Sequence, residues 1–239
     1  MIEEISKATN QQTPVEEADR RSNDKIQVEL QKILFDRYGY YYERKKGEFA
    51  DGIRERYISR QQIIDRDTFL RICIACDFRP SFALRSSKQL FKESNFTQTL
   101  SNKNRADEYF FAYQCYLSLN EIEKTFQKDS NNPYGVVNFG QALRYGKYAV
   151  ISVCNFYSKD NYSDPLKIVK AILAVWLKFE EYAIRTPTNA NYFRTYVDQD
   201  TEERQRELNY AGYYKGKSLD KDLRNFFIEL PLSAIQKEK

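Results

Sequence analysis

Glu43-Arg44-Lys45 is the sharpest chemical pattern in the chain. Alternate residues of a β-strand share one face, so on a strand Glu43 and Lys45 point the same way. A Glu-x-Lys on a strand, with an acidic residue on a neighbouring strand, is how many restriction-type nucleases bind a divalent cation and polarise water; here the ion would be Mg²⁺. No clear strand upstream supplies that second acid, because Asp36 falls on a helical stretch. The competing reading is a structural or binding hairpin, in which Tyr40-Tyr41-Tyr42 leads into a turn at Lys46-Gly47 and Phe49 lies on the return.

Two further polar clusters precede it. In Arg20-Arg21-Ser22-Asn23-Asp24, either Asn23 or Asp24 caps a helix and the arginines are solvated, or the cluster is a recognition edge. A helix N-terminus with nearby arginines can take up phosphate or carboxylate. Asn10, Gln11 and Gln12, ahead of Thr13-Pro14, form either a hydrogen-bonded turn or a face that reads a polar ligand. The candidate ligand-contact residues are thus Asn10, Gln12, Arg21, Ser22, Asn23, Asp24, Arg44, Lys45 and Lys46. Glu43 and Lys45 are the catalytic candidates, and neither a metal site nor a cofactor is expected outside the nuclease reading.

Composition narrows the chemistry. The 239 residues contain no histidine, which removes Ser-His-Asp and Cys-His catalysis and every His metal site. A net charge of +4 permits contact with nucleic acid but falls short of a strong basic footprint. Cys73-Ile-Ala-Cys76 has CxxC spacing, yet it lies inside an apolar run, and Cys115 and Cys154 are solitary. A four-Cys zinc site takes two such pairs, so core thiols are the expectation over zinc or a redox pair. Reduced thiols without a signal-peptide pattern point to the cytoplasm. The longest apolar stretch, 168–179, is broken by Lys170 and Lys178 and is too short for a bilayer.

The elements that must position these residues are mainly helical. Ile2, Ile5 and Ala8 read as the tail of a helix that begins in a preceding segment, and Pro14 ends it. Asp24 with Gln27 forms a capping-box signature, leading into an apolar stripe through Ile26, Leu30, Ile33, Leu34 and Tyr38 and a stop at Gly39. Helical spacing recurs from Ser59 to Cys76, from Pro80 to Phe91 and from about 105 to 126. It recurs again over 136–157, 165–184 and 219–230, with a polar connection at 95–104. The expected fold is mainly α, a helical bundle-like domain with a small β-hairpin near the N-terminus. Residues 1–58 form a polar-motif segment and 59–239 a helical body, joined in one continuous domain.

Taken together, Ala8-Thr-Asn-Gln-Gln-Thr-Pro14, Arg21-Ser-Asn-Asp-Lys-Ile-Gln27 and Tyr41-Tyr-Glu-Arg-Lys-Lys-Gly-Glu48 resemble the C-terminal part of the AIPR family, named for abortive infection phage resistance. Arg79-Pro80, Lys88 and Leu90-Phe91 extend the likeness, which is specific over about the first ninety residues. The resemblance implies a bacterial antiphage-defence protein encoded near restriction-type genes. Family members usually carry a preceding region that this chain lacks, so that region is one expected partner. The expected function is binding or regulation through the N-terminal polar edge, with nucleic acid or another defence protein as ligand and no membrane contact. The alternatives are the metal-dependent nuclease and a non-catalytic scaffold.

Overall fold

The structure, a computed structural model, describes residues 17–158, 164–197 and 204–228. Asn10, Gln12, the helix tail over 2–9 and the break at Pro14 lie outside the described residues. The fold is mainly α, with two small two-stranded sheets among the described residues. The chain divides into two compact units, one over Met1–Arg66 with Ser86–Gln98 and the other over Asp67–Arg85 with Thr99–Lys239.

The first unit opens with α1 (Glu17–Arg20) and α2 (Lys25–Tyr38). Leu30 and Leu34 are the buried apolar positions of α2, one turn apart. The helix ends where Gly39 enters the left-handed region at φ 70°. There the Gly39 and Tyr40 amides donate to the carbonyls of Phe35 and Leu34, satisfying the last turn. The start of α2 departs from expectation, because Asp24 makes no side-chain cap. Its carboxylate accepts instead from the Arg21 guanidinium at 3.2 Å, a charged donor that outcompetes a neutral amide.

The expected hairpin is not formed. β1 (Tyr41–Glu43) pairs in parallel with β2 (Ile63–Asp65), matching Tyr41 to Ile63, Tyr42 to Ile64 and Glu43 to Asp65. Gly47 does turn the chain at φ 80°, but it leads into α3 (Ala50–Arg54) rather than a return strand. Parallel pairing requires a crossover of a dozen or more residues, which 44–62 provide. Its reward is burial: Tyr42 and Ile64, side by side in the ladder, are both fully buried. Ile63 and Ile64 therefore belong to a strand, and the helix expected from Ser59 begins only at Arg66. Phe91 and Phe96 stack in this unit with centroids 5.8 Å apart. Phe96 lies on a helix (Glu93–Leu100) where a polar connection was expected.

In the second unit the helices Ala106–Phe126, Lys147–Ser158 and Pro165–Ala174 pack against one another. Asp164 caps the third, accepting from the Leu166 and Lys167 amides, with Pro165 in the first turn as its sequence implies. Two expected long helices are each broken. The one over 136–157 becomes Val136–Phe139 and Lys147–Ser158, because Gly140 adopts φ 54°, ψ −137°, a conformation for glycine alone. The other breaks at Val175, and the second half brings Trp176 and Phe179 against Phe227, with centroids 5.9 and 5.6 Å apart. A further sheet pairs β3 (Phe193–Val197) antiparallel with β4 (Arg204–Leu208), a ribbon whose residues are mostly exposed. All four cysteines are buried and free. Burial pushes the Cys73 and Cys76 thiols well up, so they pack as small apolar side chains. No described helix is long and apolar enough to cross a membrane.

Candidate functional site

The three residues that open the polar edge do different jobs. Arg21 lies at the turn between α1 and α2, where its Nε donates to the Phe91 carbonyl at 2.6 Å. Its guanidinium also meets Asp24 and lies 5.7 Å from the centre of the Phe96 ring. Ser22 is buried, and its hydroxyl donates to the Asp19 carbonyl at 2.7 Å. Asn23 is exposed.

Behind this turn sits a lattice of buried amide and phenol groups. Gln27, fully buried in the first turn of α2, donates to the Arg21 carbonyl and accepts from the Tyr42 hydroxyl at 2.9 Å. Gln31, one turn further on, donates to the Tyr42 carbonyl at 2.8 Å and to Glu48 at 3.2 Å. The helix spacing of Gln27 and Gln31 thus grips β1 from one side.

Arg44 completes the lattice. It donates to the Ser22 carbonyl at 3.2 Å and to Glu48 at 2.7 Å, while its own amide donates to the other Glu48 oxygen at 2.9 Å. Burial raises the Glu48 pKa, but the bonds from Arg44 and Gln31 outweigh it and hold the carboxyl below its ordinary value. Arg66, buried at the end of β2, donates to the Arg44 carbonyl and pairs with Asp19 at 2.7 Å. The polar clusters at 21–27 and 41–48 are therefore joined to each other through internal hydrogen bonds.

The turn after β1 carries a different chemistry. Glu43 accepts from the Gly47 amide at 2.8 Å, and Glu48 receives the amides of Arg44 and Lys45. Two carboxylates thus fix the backbone of 43–48. Lys45 and Lys46 are exposed, and among the described residues neither ammonium has a hydrogen-bond or ion-pair partner.

For the nuclease arrangement, the ladder supplies Asp65 in register with Glu43. Residues paired in a sheet share a face, so this is the second acid that no upstream strand offered. Lys45 lies two residues beyond the end of β1, outside the ladder. Among the described residues no three acidic, Cys or His side chains gather as a metal site. Sequence reasoning missed Asp65 because it expected a helix there, although Ile63-Ile64 is a β-branched pair suited to a strand.

The architecture is that of a mainly helical protein whose N-terminal edge is fastened by an Arg–Glu–Gln–Tyr lattice. The AIPR protein family model matches residues 1–204, and the chain belongs to that family. Family membership places it with abortive-infection phage resistance. No curated protein and no solved structure matches the chain.

Proposed function

We propose that the chain is a binding module of abortive infection that contacts nucleic acid through the 43–48 turn. Lys45 and Lys46 touch phosphates, while Arg21, Ser22, Asp24 and Arg44 hold the edge that presents them. One observation carries this reading: a turn whose backbone is fixed by two carboxylates extends two lysines with no partner among the described residues. A fixed backbone lowers the ordering cost of binding. Asn23, exposed beside the buried Ser22, belongs to the same edge.

The test is fluorescence anisotropy with labelled RNA and DNA across a salt series. Lys45→Ala and Lys46→Ala are each expected to weaken binding similarly for all sequences. Each is also expected to lower the slope of log affinity against log salt by about 1, through loss of one released counterion. Glu43→Ala removes the acceptor of the Gly47 amide along with a negative charge, so it is expected to change affinity less than either lysine variant and to leave the salt slope unreduced. If the protein binds neither polymer at low salt, the nucleic-acid reading fails and a protein partner takes its place.

The register of Glu43 with Asp65 favours a second reading, Mg²⁺-dependent cleavage with Lys45 stabilising charge on the attacked phosphate. It requires that Glu43→Ala and Asp65→Ala each abolish cleavage while binding survives. The expected result is binding without cleavage.

A further inference from the structure

Downstream of the lysine turn, the stretch 51–62 combines a fixed backbone with unneutralised side chains. At the end of α3 the amides of Tyr57 and Ile58 both donate to the Gly52 carbonyl, at 2.9 and 3.1 Å. The Ile58 side chain packs so closely on Gly52 that a Cβ there would lie 2.7 Å from its tip. Ser59 and Gln62 then form a reciprocal capping box around a 3-10 turn, fixing Arg60. Nothing in this segment dangles.

The side chains it presents are unusual. Tyr57 is 84% exposed, the largest exposure among the big hydrophobic residues described. A tyrosine ring ordinarily buries its apolar body, so a ring left in water on a fixed backbone is available to a flat partner. Asp51 and Glu55 are both drawn to Arg54, at 3.1 and 3.3 Å. Arg56 and Arg60 are left exposed on either side of Tyr57, with no hydrogen-bond or ion-pair partner among the described residues. Arg56 also holds a left-handed backbone at φ 63°, where glycine is the unstrained choice. An arginine occupies this position despite the strain, and such outliers gather at functional sites.

We infer that Arg56, Tyr57 and Arg60 form a contact for single-stranded nucleic acid, a base stacking on the Tyr57 ring while the arginines take the flanking phosphates. This rests on the nucleic-acid reading above and specifies its substrate class. Within a duplex the base faces are already stacked, so an exposed ring selects a strand whose bases are free.

The experiment compares a fluorescein-labelled dT12 strand with a 12-base-pair duplex by anisotropy at low salt. The wild type is expected to bind the single strand more tightly. Tyr57→Ala is expected to lose about tenfold for the strand and little for the duplex, and Tyr57→Phe to retain strand binding. Arg56→Gly provides an independent signature, because it relieves the left-handed strain: its melting temperature should rise while its affinity for the strand falls. A purely structural Arg56 would show the rise alone. Equal strand binding by wild type and Tyr57→Ala overturns the inference, as does loss in Tyr57→Phe or a preference for duplex. In each of those cases Lys45→Ala still weakens binding if the broader reading holds. Absence of binding to either polymer overturns both.

Discussion

Replacing Arg44 with alanine is expected to destabilise the protein by about 2–3 kcal/mol, and only secondarily to affect any ligand. The guanidinium joins the Ser22 carbonyl to the Glu48 carboxylate, and both partners are largely shielded from water, with Arg44 and Glu48 side chains 18% and 19% exposed. Removing it leaves Glu48 charged without its main donor, and the loss of a partner costs more than the pair contributes. The partial exposure of both groups keeps the figure below that of a fully buried pair. In a chain of this size that corresponds to a fall of roughly 5–10 °C in melting temperature. Arg44→Lys should rescue little, since one ammonium cannot serve two acceptors held apart by a planar fork. Lys45→Ala, one residue on, is expected to stay within about 0.5 kcal/mol. An Arg44→Ala variant as stable as wild type but poor in nucleic-acid binding would reassign this residue to the ligand.

Stability should also fall as pH rises through neutrality because of Glu180. This side chain is 4% exposed, and burial pushes its pKa up to about 7 against the opposing bonds it accepts. Those come from the Tyr214 hydroxyl and the Gln141 amide, both at 2.7 Å, and the Trp176 indole in turn donates to Tyr214. The carboxyl fits only because residue 140 has no side chain: a Cβ on Gly140 would stand 2.1 Å from Oε2. A folded pKa above the unfolded value means that the native state binds the proton more tightly. The contribution is full below about pH 4.5 and is lost as pH climbs through about 7, amounting to about 3 kcal/mol. Glu180→Gln should flatten this part of the profile. Chemical denaturation of both proteins from pH 5 to 8 reads the difference directly, and parallel curves would refute it. Glu48, held below its ordinary value, runs in the opposite direction and is common to both proteins, so it cancels in the comparison.

The sequence showed the helices well where period and punctuation agreed. Gly39 stops α2, Asp164 and Pro165 start the next long apolar helix, and Leu30 with Leu34 marks a buried face. It misled where a local signature had a distant use. Asp24 and Gln27 look like a capping box, yet Asp24 serves Arg21 and Gln27 joins Arg21 to Tyr42, fifteen residues away. No local pattern can reveal that partner. The parallel ladder was hidden for a related reason, since neither three-residue strand is long enough to show alternation alone. The break at Gly140 makes room for a carboxylate forty residues further on, a contact that no local pattern shows. Candidate site residues were found by type and spacing, but which of them would be fasteners and which would face water was set by tertiary contacts. Tyr57 carried no signal beyond its basic neighbours.

The parallel pairing of β1 with β2 has an evolutionary consequence. Its crossover, 44–62, begins and ends in the same ladder, with Arg66 donating back to the Arg44 carbonyl at its base. Once the ends of a segment are clamped, lengthening it is inexpensive: each doubling adds only about 0.6 kcal/mol of closure entropy. Residues between α3 and β2 can therefore be added or exchanged at little closure cost while the clamp stays untouched. If this segment makes the contact proposed above, its side chains can change on a frame that does not have to change with them.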